Sequence, residues 1–69
     1  MSYPRLGDLE FIPGIVEKIA LKAIIALDSG KRIEVGIEDH AGKICKKGDK
    51  VNIEHNLSSD IYDIQQILK

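Results

Sequence analysis

The stretch that most restricts the fold is KAIIALDSGKRIEVGIED, residues 22–39. It holds two apolar runs joined by Asp28-Ser29-Gly30. Gly30 tolerates a positive φ, and Asp28 and Ser29 hydrogen-bond readily to nearby backbone, so the three residues are turn formers. In the second run Ile33, Val35 and Ile37 alternate with Arg32, Glu34, Gly36 and Glu38. Successive strand side chains point to opposite faces, so a period of two predicts a strand with one buried face. In the first run Ile25 and Leu27 share one face, and Ile24 and Ala26 share the other. The segment reads as a β-hairpin.

The flanks are read against that hairpin. Residues 1–10 lack periodicity and are punctuated by Pro4 and Gly7, so they read as a flexible arm with a turn near Leu6–Asp8. Residues 11–21 read as a first strand: Pro13 and Gly14 oppose a helix interior, and Ile15, Val16 and Ile19 favour extended backbone. Pro13 cannot donate to a ladder, which assigns it to a strand start or a sheet edge. A helix over Ile15–Ala26 is the alternative, since Glu17, Lys18, Ala20, Leu21, Lys22 and Ala23 are good helix formers.

Residues 42–51 read GKICKKGDKV. Gly48-Asp49 makes a tight turn, after which Val51 and Ile53 alternate with Lys50, Asn52 and Glu54. Lys50–His55 is therefore a fourth strand, with His55 on the Val51–Ile53 face and so partly buried and hydrogen-bonded. After the polar break NLSSD, the tail IYDIQQILK fits two states. As a strand it places Tyr62, Ile64 and Leu68 on one face. As a helix it stripes Ile61, Ile64 and Leu68, with Ser58 or Ser59 as N-cap and Asp60 and Asp63 in the first turn. A four-stranded meander needs closing, which favours a fifth strand.

With 69 residues there is room for one domain, here residues 11–69, and its core would be aliphatic: one Phe, two Tyr and no Trp. Short strands joined by Gly and Asp turns predict an all-β chain, a small five-stranded barrel, OB-like or SH3-like, with a short C-terminal helix as the alternative to the last strand. The gap from Asp39 to Asp49 has room for one helical turn at most. One cysteine excludes an intrachain disulfide, and the chain shows no signal peptide and no apolar run of spanning length. The expectation is a cytoplasmic protein without membrane contact.

Gly14-Ile15-Val16-Glu17, Ala26-Leu27-Asp28-Ser29-Gly30, Gly42-Lys43, Gly48-Asp49-Lys50-Val51 and Asp63-Ile64 together resemble the smallest bacterial translation initiation factors. The resemblance covers about residues 13–67 and implies an OB-fold RNA-binding domain. The small hydrogenase-maturation chaperones share a similar skeleton, but they begin Met-Cys, and position 2 here is Ser2.

No catalytic constellation, phosphate loop or dinucleotide fingerprint is present, so no enzyme, no cofactor and no small-molecule substrate are expected. Cys45, His40 and His55 are too few and too far apart in sequence for a tetrahedral metal site. Cys45 with either histidine would suit nucleophile and base, but a lone cysteine beside Ile44 reads as a small core residue. Two functions remain. One is single-stranded RNA or DNA binding through a lysine-bearing barrel face: Lys22, Lys31, Arg32, Lys43, Lys46, Lys47 and Lys50 on phosphates, and Tyr62 as a stacking ring. A net charge of −1, scarce aromatics (Tyr3, Tyr62 and a core Phe11) and outward Glu34 and Glu38 weigh against it. The other is a protein-interaction module, working by strand addition, a flat contact or self-association. One continuous lysine face would favour nucleic acid. Lysines scattered among Glu17, Glu34, Glu38 and Glu54 would favour protein.

Overall fold

The computed structural model describes residues 8–68. Five strands follow in chain order: β1 (Leu9–Ile19), β2 (Ala23–Leu27), β3 (Arg32–Val35), β4 (Lys50–Asn56) and β5 (Ile61–Leu68). All paired neighbours are antiparallel, in the order β3-β2-β1-β4-β5. Three strands joined by hairpins, with the fourth returning beside the first, form a Greek key. The sheet curls until β3 and β5 approach each other without ladder hydrogen bonds, leaving a half-barrel with an open seam.

The alternation read from the sequence sets the inside. Ala23, Ile25 and Leu27 of β2, Ile33 and Val35 of β3, and Val51 and Ile53 of β4 are buried with Val16, Cys45, Ile64 and Ile67. Ile37 lies beyond the end of β3 but still packs on this core. The Asp28–Gly30 turn forms as expected, with Gly30 at φ 92°. Neither helical alternative is realised: residues 15–19 and 23–26 are strand, and the tail is β5.

β1 starts at Leu9, so Leu9 and Glu10 belong to the sheet rather than to the arm. The rest of the expected arm, residues 1–7 with Tyr3 and most of its turn, lies outside the described residues. Phe11, expected in the core, is 54% exposed on the outer face. It shares a face with Pro13 and Ile15, out of phase with the inward Ile12, Gly14 and Val16.

Pro13 lies inside the central strand, in register with Asn52 of β4. A residue's N–H and C=O point to the same side of a strand, and the Pro13 carbonyl accepts from Asp28 N at 3.1 Å, toward β2. β2 ends at Leu27, so the missing N–H faces a place where β1 has no ladder partner. Pro13 is thus at neither a strand start nor a sheet edge, contrary to the expectation; it is tolerated mid-strand because β2 ends before reaching the missing N–H. Next to it, Gly14 is in register with both Leu27 and Val51. A Cβ there would lie 2.7 Å from Ile25 Cγ2 and 3.1 Å from the Ala26 carbonyl. Glycine lets β2 close onto β1 where β1 passes from one partner to the other.

The tail differs in phase. Asn52 opposes Gln66 but Ile53 opposes Ile64, so β5 carries one extra residue. This bulge shifts the inward set to Ile64 and Ile67 and leaves Leu68 42% exposed, where strict alternation predicted Leu68 inside.

Candidate functional site

The connection from Gly36 to Asp49 contains no helical turn. It is held by two aspartates. Asp39 is buried, and its Oδ1 accepts from Ala41 N at 2.9 Å and Lys43 N at 2.8 Å. The Lys43 amide is the main cause, with those of Ala41 and Ile67 adding, that holds the Asp39 carboxyl below the usual range. Asp49 Oδ2 accepts from Lys46 N at 2.9 Å, and Asp49 N donates to Lys46 O at 3.0 Å. The turn then locks onto β1: Gly48 N donates to Val16 O and Val16 N donates to Asp49 O. Gly48 has φ 91°, a left-handed conformation that favours glycine. The expectation that Gly48-Asp49 serves the turn is met, and Lys50 starts β4 directly after it.

This loop and the C-terminal end of β5 enclose a groove of about 590 Å³. Lys43, Lys46 and Lys50 rim it, with Ile44, Ile67 and Leu68 supplying apolar wall. Ile44 is 59% exposed, large for an isoleucine whose neighbour Cys45 is fully inside. Among the described residues Lys46, Lys47 and Lys50 have no side-chain hydrogen bond or ion pair.

The other proposed cations are elsewhere. Lys22 borders a separate hollow with Leu21, Ile24 and Glu34. Arg32 Nε binds Glu17 Oε1 at 2.6 Å, and that carboxylate raises the guanidinium's pKa further. Lys31 donates to the Tyr62 hydroxyl at 3.2 Å across the seam between the β2–β3 turn and β5. Tyr62 is not a free stacking platform: its ring lies on the His55 imidazole, centroids 3.9 Å apart and planes 5° apart. The structure therefore brings together Lys43, Lys46 and Lys50, leaves Lys47 exposed beside them, and separates Lys22, Lys31, Arg32 and Tyr62 from that group.

His55 faces inward as expected. Nε2 meets Asp60 Oδ1 at 2.7 Å, and Nδ1 meets Glu10 Oε2 at 3.1 Å. Asp60 first and Glu10 second raise the imidazole pKa, because both stabilise the imidazolium. Asp60 takes φ 56° to reach the ring, in a region that aspartate tolerates better than most residues. Neither carboxylate was identifiable from sequence, since Glu10 is 45 positions away and Asp60 lies in a polar break. His40 is exposed and only 3.9 Å from Glu54.

Cys45 is buried, and burial raises its thiol pKa, which disfavours the nucleophilic thiolate. Among the described residues no group of three or more His, Cys, Asp or Glu could hold a metal ion, and no helix is long and apolar enough to cross a membrane. Compared with known proteins, the chain matches no family model, no curated protein and no solved structure.

Proposed function

We propose that this chain is a small non-enzymatic binding domain whose working surface is the groove under Lys43, Lys46 and Lys50. Its partner is a protein segment carrying acidic side chains beside apolar ones. One observation carries the reading: unpaired lysines surround an aliphatic wall that contains no aromatic ring. Ammonium groups suit carboxylates, and Ile44 and Leu68 suit aliphatic side chains. Single-stranded nucleic acid generally requires ring platforms, which this wall lacks.

The Greek-key order with a shared first strand fits the plan of an OB-type barrel. Such barrels bind oligonucleotides on the face of strands two and three and on the loops after strands one and four. In this chain that face carries Glu34 and an Arg32 already engaged by Glu17, and the β4–β5 loop ends in Asp60. Lys22, in the loop after β1, is exposed there beside Glu34, but Lys43, Lys46, Lys47 and Lys50 gather in the β3–β4 connection instead, which favours a protein partner over phosphate.

The test is an amide chemical-shift titration with two probes at low and moderate salt. One is an extended peptide alternating Leu with Asp or Glu. The other is a short mixed-sequence single-stranded RNA. The proposal expects the peptide to shift Ile44, Lys46–Lys50, Ile67 and Leu68. RNA-induced shifts over Lys22, Lys31–Arg32 and Lys43–Lys50, weakening steeply with salt, would replace it with the nucleic-acid reading.

A further inference from the structure

We infer that the groove's occupant is the β4–β5 hairpin of a second copy of this chain, giving head-to-tail association. The inference rests on the groove being a protein-binding surface and names its partner.

The charge is arranged for it. Residues 43–50 carry Lys43, Lys46, Lys47 and Lys50 against Asp49, four minus one, or +3. Residues 54–63 carry Glu54, Asp60 and Asp63 with no lysine or arginine; Asp60 is engaged by His55, which leaves Glu54 and Asp63 as the acidic pair on the outer face. The two groups occupy opposite ends of one ladder. Lys50 pairs with Leu68 at the groove end, and Asn56 pairs with Ile61 at the hairpin end. Seven strand residues separate them by about 20 Å, so a chain cannot fill its own groove.

The apolar surfaces match as well. The hairpin exposes Leu57 (50%) and Ile61 (56%), and the groove exposes Ile44 and Leu68. The outer face of the hairpin also contains an unfavourable pair. Glu54 and Asp63 are directly opposite each other, and like charges in that position repel. A lysine from a neighbouring copy would relieve this. The groove likewise collects ammonium groups, offset by Asp49 and, at Lys43, by Asp39. The groove thus offers the ammonium groups that the Glu54–Asp63 pair lacks.

Different patches meeting head to tail make a heterologous contact, which adds copies until a ring closes or continues as an open array. This gives a decisive mixing experiment on the full chain. The groove variant is Lys43→Ala/Lys46→Ala/Lys50→Ala. The hairpin variant is Leu57→Ser/Asp63→Ala, which leaves Asp60 on His55. Dispersed amide spectra establish that each variant is folded. Sedimentation is followed from about 10 µM to about 1 mM, the range for small, transient interfaces.

The unaltered chain is expected to rise above its 7.7 kDa monomer mass with concentration and to fall back with added salt. Each variant alone should stay monomeric. Their mixture should stop at about twice the monomer mass, because only one intact groove and one intact hairpin remain to meet. Association that persists in the groove variant would overturn the inference by placing the contact elsewhere. An unaltered chain that stays monomeric throughout, yet whose groove amides shift with the acidic peptide, would overturn self-occupancy and leave the groove as a protein site. Monomer behaviour with no peptide shifts would remove both.

Discussion

The two ends of the β4–β5 ladder use charge in opposite ways. At the hairpin end His55 is gripped by Asp60 and Glu10, Tyr62 covers its ring, and Lys31 caps the Tyr62 hydroxyl. These groups are neutralised or hydrogen-bonded by one another, and the cluster joins β1, β4, β5 and the β2–β3 turn across the open seam. At the groove end the aspartates are spent on backbone amides, so the lysines remain unpaired. Internal pairing makes a clasp, and pairing withheld makes a binding surface. A count of lysines cannot separate the two cases.

The largest expected effect tests whether both ends depend on one core. Ile53 is fully buried at mid-ladder. Ile53→Ala should destabilise the fold by about 2–5 kcal/mol, measured by urea denaturation. A domain of this size has little stability beyond that. If the groove amides kept native shifts after the hairpin amides had collapsed, the two ends would be independent units. Next is Gly14→Ala, where the added Cβ meets Ile25 and the Ala26 carbonyl. We expect a loss of about 1–3 kcal/mol through overpacking. Native stability in this variant would mean that β2 shifts easily on β1.

A pH titration sharpens the comparison, because the two ends should respond at opposite limits. The His55 pKa is raised in the folded chain, so its contribution is complete below the ordinary imidazole value of about 6.5 and is lost as pH rises through the folded value. The Asp39 pKa is lowered, so its contribution is present above the ordinary aspartate value of about 3.9 and is lost as pH falls through the folded value. Amide shifts of Glu10, His55 and Asp60 should therefore move on the alkaline side, and those of Ala41, Lys43 and Ile67 on the acid side. Asp60→Asn should lower the His55 pKa, read from its ring proton shifts. An unchanged His55 pKa in that variant would show that Glu10 alone sets it. The smallest effect is Asp63→Asn, which removes the repulsion with Glu54 and should stabilise the monomer by about 0.2–1 kcal/mol, seen as a raised urea midpoint.

Periodicity carried much of the fold. Ile33 and Val35 against Glu34, and Val51 and Ile53 against Asn52, assign inward faces because a strand alternates at every residue. Asp28-Ser29-Gly30 and Gly48-Asp49 mark turns by their own conformational preferences. The same logic misplaced Leu68, since the bulge at Gln65–Gln66 reverses phase without a local signal. It also left Phe11 to be assigned by hydrophobicity, which does not reveal the phase of its strand. The groove was legible only as GKICKKGDKV, a lysine-rich turn. Its shape required Gly48 and Asp49 to bond Val16 of β1, and its distinctness required Lys31 and Arg32 to be engaged elsewhere. Alternation and turn chemistry act between chain neighbours, so the sequence alone determined an all-β chain with its main turns and most inward residues. Which charges find partners depends on residues such as Glu10 and His55, or Lys31 and Tyr62, which meet only when the sheet curls. Tertiary structure therefore decided where the free lysines gather.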